Sequence, residues 1–462
     1  MAQPELKKAL GLLDLILFNI VAIVGLRWIA VAAAGGVSSI SLWVLAMLLF
    51  FIPQGLVVLE LSTRFPEEGG LYQWTKRAFG PFHGFLSGWC YWTNNLIYYP
   101  SLLIFVAGVS VYVAGPKYPS LGERPAYVFC FSLVILWMAI LLNVVGLDIG
   151  KWVQNLGAIG TWIPAAIVAV AGTVALYRLG AANSFEPLEF LPVKSYKTMG
   201  FWASLCFGFA GLELASVMGD EIKDPRKNIP RAILISGVAI ALIYILGTAA
   251  LLVVLPKNEV SVISGAIQAI ASVSRRLDWH GITALSALCM TLGGLGGAGA
   301  WLAGSARVPF VAGLDRYLPG WFGRVHPRWQ TPYAAILAQG LLSTFFVSTS
   351  LWGGTVKDAY LVLVDTTIIV YFVPYIYLFA SIFVLPPKAD DAEVMLIPGG
   401  SLGRWLTACA GLVSTLAAIA LAVVPPEGVE NPARFRLKVI GGCILFIASG
   451  AGIYARASRR HG

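Results

Sequence analysis

The chain has 462 residues, of which 58% are hydrophobic and only 12% charged, with a formal net charge of +9 and a mean hydropathy of +0.79. Soluble domains carry about a quarter charged residues, so a soluble enzyme, a disordered chain and a fibrous repeat are excluded and a polytopic helical membrane protein remains. The apolar residues run unbroken rather than alternating, which argues against a β-barrel, and the basic excess reads as topogenic Lys and Arg in loops rather than as a surface for nucleic acid.

In chain order, residues 1–11 are too short and polar for a cleaved signal peptide. A helix needs about 20 apolar residues to cross about 30 Å of hydrocarbon. Twelve spans are expected on that basis: 12–34, 38–61, 82–114, 125–145, 151–176, 199–219, 231–255, 281–304, 333–350, 357–384, 404–424 and 437–455. A short interfacial helix is expected at 261–273, and 456–462 is a polar tail. Connections are mostly short, so the spans form one bundle: a first five-helix set over 12–176, a second over 199–384, and two further helices over 404–455. With the N-terminus in the cytoplasm, the larger share of the 32 Lys and Arg falls on the cytoplasmic side, including the dense loops 220–231 and 307–328. The positive-inside rule then places both termini inside; the compact loops suggest a prokaryotic chain, for which a plasma (inner) membrane is expected.

Irregular backbone survives in a membrane only beside a cavity. Span 1 reads Asn19-Ile-Val-Ala-Ile23-Val24-Gly25-Leu-Arg27-Trp28, with a charge in mid-membrane, and span 6 reads Phe207-Gly208-Phe209-Ala210-Gly211-Leu212-Glu213, with two glycines and an acid. These are the first helices of the two five-helix sets. Interruptions at matching places in two repeats point to a transporter's midplane site, although transmembrane glycines also serve plain helix packing.

Span 6 and its following loop, FGFAGLELASVMGDEIKDPRKNIPRAI (207–233), resemble the amino acid–polyamine–organocation (APC) transporters, whose pattern is F-x-G-x-E followed by E-x-K-x-P-R-x-x-P. Phe209, Gly211, Glu213, Glu221, Lys223, Pro225, Arg226 and Pro230 match. The stretches 60–89 and 305–332 are similar to that family's loops after spans 2 and 8. The resemblance implies an all-α LeuT-like 5+5 inverted repeat with 12 transmembrane helices, helices 1 and 6 discontinuous, and alternating access. It implies substrates that are amino acids or related amines.

Three departures from the family bear on mechanism. The G-S-G-I-F motif of span 1, whose amides bind the substrate carboxylate, is here Val24-Gly25-Leu26-Arg27-Trp28. The span 5 position that holds a Lys in many sodium-independent members falls on Thr161. The core of span 8, Gly293 to Ala303, has none of the hydroxyls that sodium-coupled cousins use, so a sodium site is poorly furnished.

A charge at mid-membrane demands compensation. At about 1.5 Å per residue, Arg27 lies about 10 Å below the end of span 1 and Asp365 about 12 Å below the start of span 10. In the broader fold these spans face each other across the outer vestibule. Arg27–Asp365 is therefore one reading, a gate. Arg27 binding a substrate carboxylate is a second, and Arg27 as a tethered cation in the vacant sodium position is a third. Glu213 is either a proton-coupling carboxyl or a tie between span 6 and its neighbours.

Further candidates are the backbone around Ile23, Val24, Gly25, Phe207 and Gly208 for an ammonium, Phe209 and Trp202 as an aromatic gate, Asn94 and Tyr98 on span 3, and Trp301 on span 8. The six Cys lack CxxC spacing, the four His are scattered, and neither HExxH nor GxSxG occurs. Neither a cofactor, a metal nor an enzyme is expected. The expected function is sodium-independent amino acid transport by proton symport or exchange, its partners a small-molecule substrate and the lipid bilayer. A polyamine carrier and a non-transporting sensor are the alternatives, the second disfavoured by the short tail.

Overall fold

The computed structural model of the chain describes residues 8–114, 119–192, 200–350, 356–386, 394–425 and 431–459. Among these, twelve helical stretches are long and apolar enough to cross a membrane: Leu12–Ala34, Ser38–Arg64, Pro81–Ala114, Pro125–Val145, Gly150–Arg178, Phe201–Glu221, Pro225–Val254, Ile282–Gly313, Tyr333–Ser350, Tyr360–Val384, Gly400–Leu421 and Pro432–Ser458. They are spans 1 to 12 below. The end of the bundle where span 1 begins is the N-terminal face, and the other end is the far face.

The helices of spans 7 and 12 start earlier than the apolar runs that predict them. Span 7 begins at Pro225, with Asp224 as its N-cap. Span 12 begins at Pro432, with the Asn431 side chain accepting a hydrogen bond from the Arg434 amide. Proline is preorganised for a first helical turn, and at span 12 the Asn431 side chain caps it, so each helix runs past the bilayer boundary that its Lys and Arg mark. The segment expected at 261–273 is a helix over Gly265–Arg276 that buries Ala266, Ile267, Ala269 and Ile270. A further amphipathic helix, Leu71–Phe79, follows span 2.

Span 1 is two helices, Leu12–Ile23 and Leu26–Ala34, separated by extended backbone at Val24 and Gly25. Span 6 runs as an α-helix over Phe201–Phe209, breaks at Ala210, and continues as a 3-10 helix over Leu214–Glu221. Gly211 has φ +128°, a conformation that only glycine adopts freely, and a Cβ there would come 2.9 Å from the Ile23 side chain. The two breaks therefore face each other at contact distance.

The span 8 glycines serve packing. A Cβ on Gly157 of span 5 would sit 2.6 Å from Gly296 Cα, and one on Gly160 would sit 2.6 Å from the Cys289 carbonyl. Spans 5 and 8 cross backbone to backbone, as small residues permit in a bilayer. Spans 1, 3, 6, 8 and 10 meet at the centre, where Trp28, Tyr98, Phe207, Trp301 and Tyr371 are buried against one another.

Candidate functional site

The centre is built from helix ends. The first halves of spans 1 and 6 enter from opposite faces and both point their C-terminal ends inward. The second half of span 1 starts there, presenting its N-terminal end. Half-helix C-termini carry partial negative charge and N-termini partial positive charge, so the centre holds both signs a few ångströms apart.

Three side chains from other spans pin these ends. The Tyr244 hydroxyl of span 7 accepts from the Gly25 amide at 3.0 Å and lies 2.5 Å from the Ile23 carbonyl and 3.0 Å from the Gly208 carbonyl. One hydroxyl thus ties both breaks together. Trp301 Nε1 donates to the Ala22 carbonyl at 2.8 Å. The Tyr375 hydroxyl accepts from the Gly211 amide at 2.9 Å. A phenolic proton serves one strong acceptor at a time. The shorter bond to Ile23 takes it, leaving the Gly208 carbonyl with acceptor capacity.

Arg27 sits in the first turn of the second half of span 1 and is 1% exposed. Its guanidinium lies over the rings of Trp28, at 4.5 Å, and Tyr98, at 4.9 Å. Nη1 donates to Ser101 Oγ at 3.3 Å. Nε and Nη2 make no hydrogen bond of good geometry among the described residues, and the Tyr98 and Tyr360 hydroxyls lie beside the guanidinium. Asp365, 8% exposed, makes no ion pair with Arg27 in this conformation, so the gate anticipated from matching depths is open as a pair. Depth fixes the level of two residues, not their azimuth: Tyr360, one turn earlier on span 10, stands nearer to Arg27. Nor does Arg27 line the cavity between spans 1, 5 and 8, where a sodium surrogate would sit.

Glu213 is fully buried and accepts four hydrogen bonds. Oε1 takes Tyr91 at 3.1 Å and Tyr371 at 2.5 Å; Oε2 takes Gln54 at 3.0 Å and Tyr375 at 2.5 Å. These donors come from spans 2, 3 and 10 and occupy all the lone-pair sites of a carboxylate. Glu213 thus joins span 6 to three neighbours, the geometry of a tie.

Phe207 points to the centre, with its ring 5.4 Å from Trp28, 6.2 Å from Tyr98 and 5.3 Å from Tyr371. Trp301 closes the same cluster at 5.4 Å from Tyr98. Phe209, two residues on, faces away and packs on Phe51 at 4.6 Å and Trp43 at 4.8 Å. Trp202 donates its Nε1 to the Ser414 carbonyl of span 11. Neither Phe209 nor Trp202 joins the central cluster, so the aromatic gate drawn from them is not assembled here; residues two apart on a helix face opposite sides.

Asn94 is buried on span 3, with no hydrogen-bond partner for Oδ1 among the described residues. Thr161 donates to the Gly157 carbonyl at 3.0 Å. With Val24, Gly25, Tyr98 and Met290 it lines a cavity of about 30 Å³ between spans 1, 3, 5 and 8.

Sequence reasoning missed Tyr244, Gln54, Tyr371 and Tyr375. A lone Tyr or Gln in an apolar run is a weak signal, yet each must find a partner in a bilayer. That rule singles them out. It does not say which backbone group they meet.

The N-terminal face is tied by a second polar cluster. Arg307 at the end of span 8 is fully buried and donates Nε and Nη2 to the two oxygens of Glu221, at 2.7 and 2.9 Å. The Glu221 carbonyl accepts from the Ala9 and Leu10 amides, and Lys223 N donates to the Leu10 carbonyl. Glu68, in the loop after span 2, accepts from the Asp220 amide at 3.1 Å and lies 3.9 Å from Arg307. Burial, and then the Glu221 charge, push its carboxyl well above the usual carboxylate range.

Residues 10–448 match the family described as amino acid permease. The chain is 31% identical to an uncharacterized transporter of Legionella pneumophila, over 96% of this chain and 95% of that one. It is 23% identical to a probable agmatine/putrescine antiporter of Lactococcus lactis, over 92% and 90% of the two chains. It is 24% identical to a glutamate/gamma-aminobutyrate antiporter of the same species, over 83% and 77%. Among solved structures it resembles MhsT in complex with L-phenylalanine, with a TM-score of 0.66 and 14% identity over 90% of this chain and 98% of that one. That likeness shows the fold, a LeuT-like helical bundle.

Proposed function

The chain belongs to the amino acid permease family of the APC superfamily, a multi-pass membrane transporter and not an enzyme, and from that premise we propose that it carries zwitterionic amino acids across the plasma membrane by alternating access. One observation carries the reading: the breaks of spans 1 and 6 bring two helix C-termini and one N-terminus bearing Arg27 to the same point. An ammonium is received by the Gly208 carbonyl at the negative ends. A carboxylate is received on the Arg27 side. Tyr98, Phe207 and Trp301 wall the space between them, with Asn94 on the same face of span 3 as Tyr98.

Transport is sodium-independent in this reading. The cavity at the sodium-site position has Thr161 and Tyr98 as its side-chain oxygens, and Thr161 spends its proton on its own helix, whereas sodium asks for several oxygens at once. Two relatives named as antiporters favour exchange over ion symport. The agmatine/putrescine relative gives a second reading, amine exchange, which the buried positive charge of Arg27 opposes. Both termini are assigned to the cytoplasm on the distribution of Lys and Arg.

Counterflow in proteoliposomes tests the proposal. Liposomes loaded with unlabelled amino acids are expected to accumulate labelled substrate saturably, and equally when potassium replaces sodium. Absence of counterflow for every amino acid, or strict dependence on sodium, would overturn it.

A further inference from the structure

We infer that the side edge of the Arg27 guanidinium, its Nε and Nη2, is a built receptor for the substrate carboxylate and confines the protein to acid-bearing substrates. This deepens the amino acid reading above. Guanidinium and carboxylate match as a two-pronged fork, in which parallel N–H groups meet both oxygens. The molecule displays that match once already: Glu221 fills the Nε/Nη2 edge of Arg307 at 2.7 and 2.9 Å. The corresponding edge of Arg27 is equally buried and meets no carboxylate among the described residues, with only the neutral Tyr98 and Tyr360 hydroxyls beside the guanidinium.

The remainder of Arg27 is held in place. Nη1 is anchored on Ser101, and Trp28 and Tyr98 support the plane. Cation–π contacts offset only part of the cost of burying a guanidinium. The group is thus oriented and short of two hydrogen bonds to an anion. Of the backbone donors at the break, the Gly25 amide is already given to Tyr244. Asp365 does not occupy the edge. An α-amino acid completes the fork. A diamine brings a second positive charge to a buried cation and leaves the fork unfilled.

The test is binding to purified full-length protein, by thermal shift and calorimetry, across the standard amino acids and matched pairs that differ by one carboxylate: arginine with agmatine, ornithine with putrescine, phenylalanine with phenethylamine. The wild type is expected to bind an acid and to bind its amine partner at least about tenfold more weakly, the size of one charge-assisted hydrogen bond. Arg27→Gln is expected to lose about tenfold or more for the acid while gaining nothing for other ligands, and Arg27→Lys to keep part of the affinity. Ligand-free Arg27→Gln should be at least as heat-stable as the wild type, because an uncompensated buried charge is removed, so folding does not confound the result. Asp365→Asn should keep the preference for acid over amine. Equal or tighter binding of the amines, binding of no acid at all, or unchanged acid affinity in Arg27→Gln would overturn the inference. An acid that binds through Arg27 yet shows no counterflow would leave the receptor standing and remove the transport reading instead.

Discussion

Tyr244 and Glu213 show how much a single polar group does inside an apolar bundle. Tyr244→Phe removes one hydroxyl and leaves the Gly25 amide and the Ile23 carbonyl without their partner. A loss of about 1–3 kcal/mol is expected, read as a lower melting temperature, with weaker substrate binding because the breaks loosen. Glu213→Gln places an amide donor where an acceptor served Gln54 and Tyr375, or Tyr91 and Tyr371. It should destabilise by a similar amount or more. If the carboxylate is a tie, the surviving transport of this variant keeps its full pH dependence; a flattened profile would restore the proton-coupling role. At this scale the sequence exposed Arg27 and Glu213, since charge in an apolar run is conspicuous. It did not expose their partners, which lie dozens to hundreds of residues away.

At the scale of elements, glycine and capping residues decide where helices stop. Gly211→Ala forces a Cβ into the Ile23 side chain at a positive φ. A cost of about 1–3 kcal/mol is expected, checked by thermal unfolding in detergent, whereas Gly441→Ala, whose Cβ meets open space, should change little. The loop after span 2 carries a pH signature. Glu68 in the folded protein holds its proton to higher pH than the ordinary value of 4.5. The folded state therefore binds more protons than the unfolded state between that value and its raised one, and stability falls as pH rises through this window. Glu68→Gln should remove that slope and raise the melting temperature at neutral pH, measured from pH 4 to 8. Span existence was legible from apolar run length. The helices of spans 7 and 12 start before their apolar runs, because charge marks the bilayer edge while Pro225 and Pro432 mark the helix edge.

Across the whole molecule, the N-terminal face is closed by elements from three parts of the chain: residues 9–10, the end of span 6 and the end of span 8 meet at Glu221 and Arg307. Alternating access requires such contacts to come apart. Arg307→Met leaves Glu221 and Glu68 buried without their cation, and a loss of about 3–5 kcal/mol is expected. Arg307→Met with Glu221→Leu should recover part of it, giving a coupling energy in a double-mutant cycle. A cycle with no coupling would mean that the buried pair does not hold this face shut.

The sequence by itself determined the membrane class, the number of spans, the two breaks and the family. These depend on composition, run length and local motifs, which a linear chain carries openly. Tertiary structure alone decided the rest: which hydroxyl pins both breaks, that Glu213 is ringed by four donors, that Phe207 rather than Phe209 faces the centre, and that Arg27 and Asp365 do not pair with each other. Those facts depend on the azimuth of each helix. Azimuth is fixed by packing among helices that are hydrophobic on every side, where sequence periodicity carries little signal.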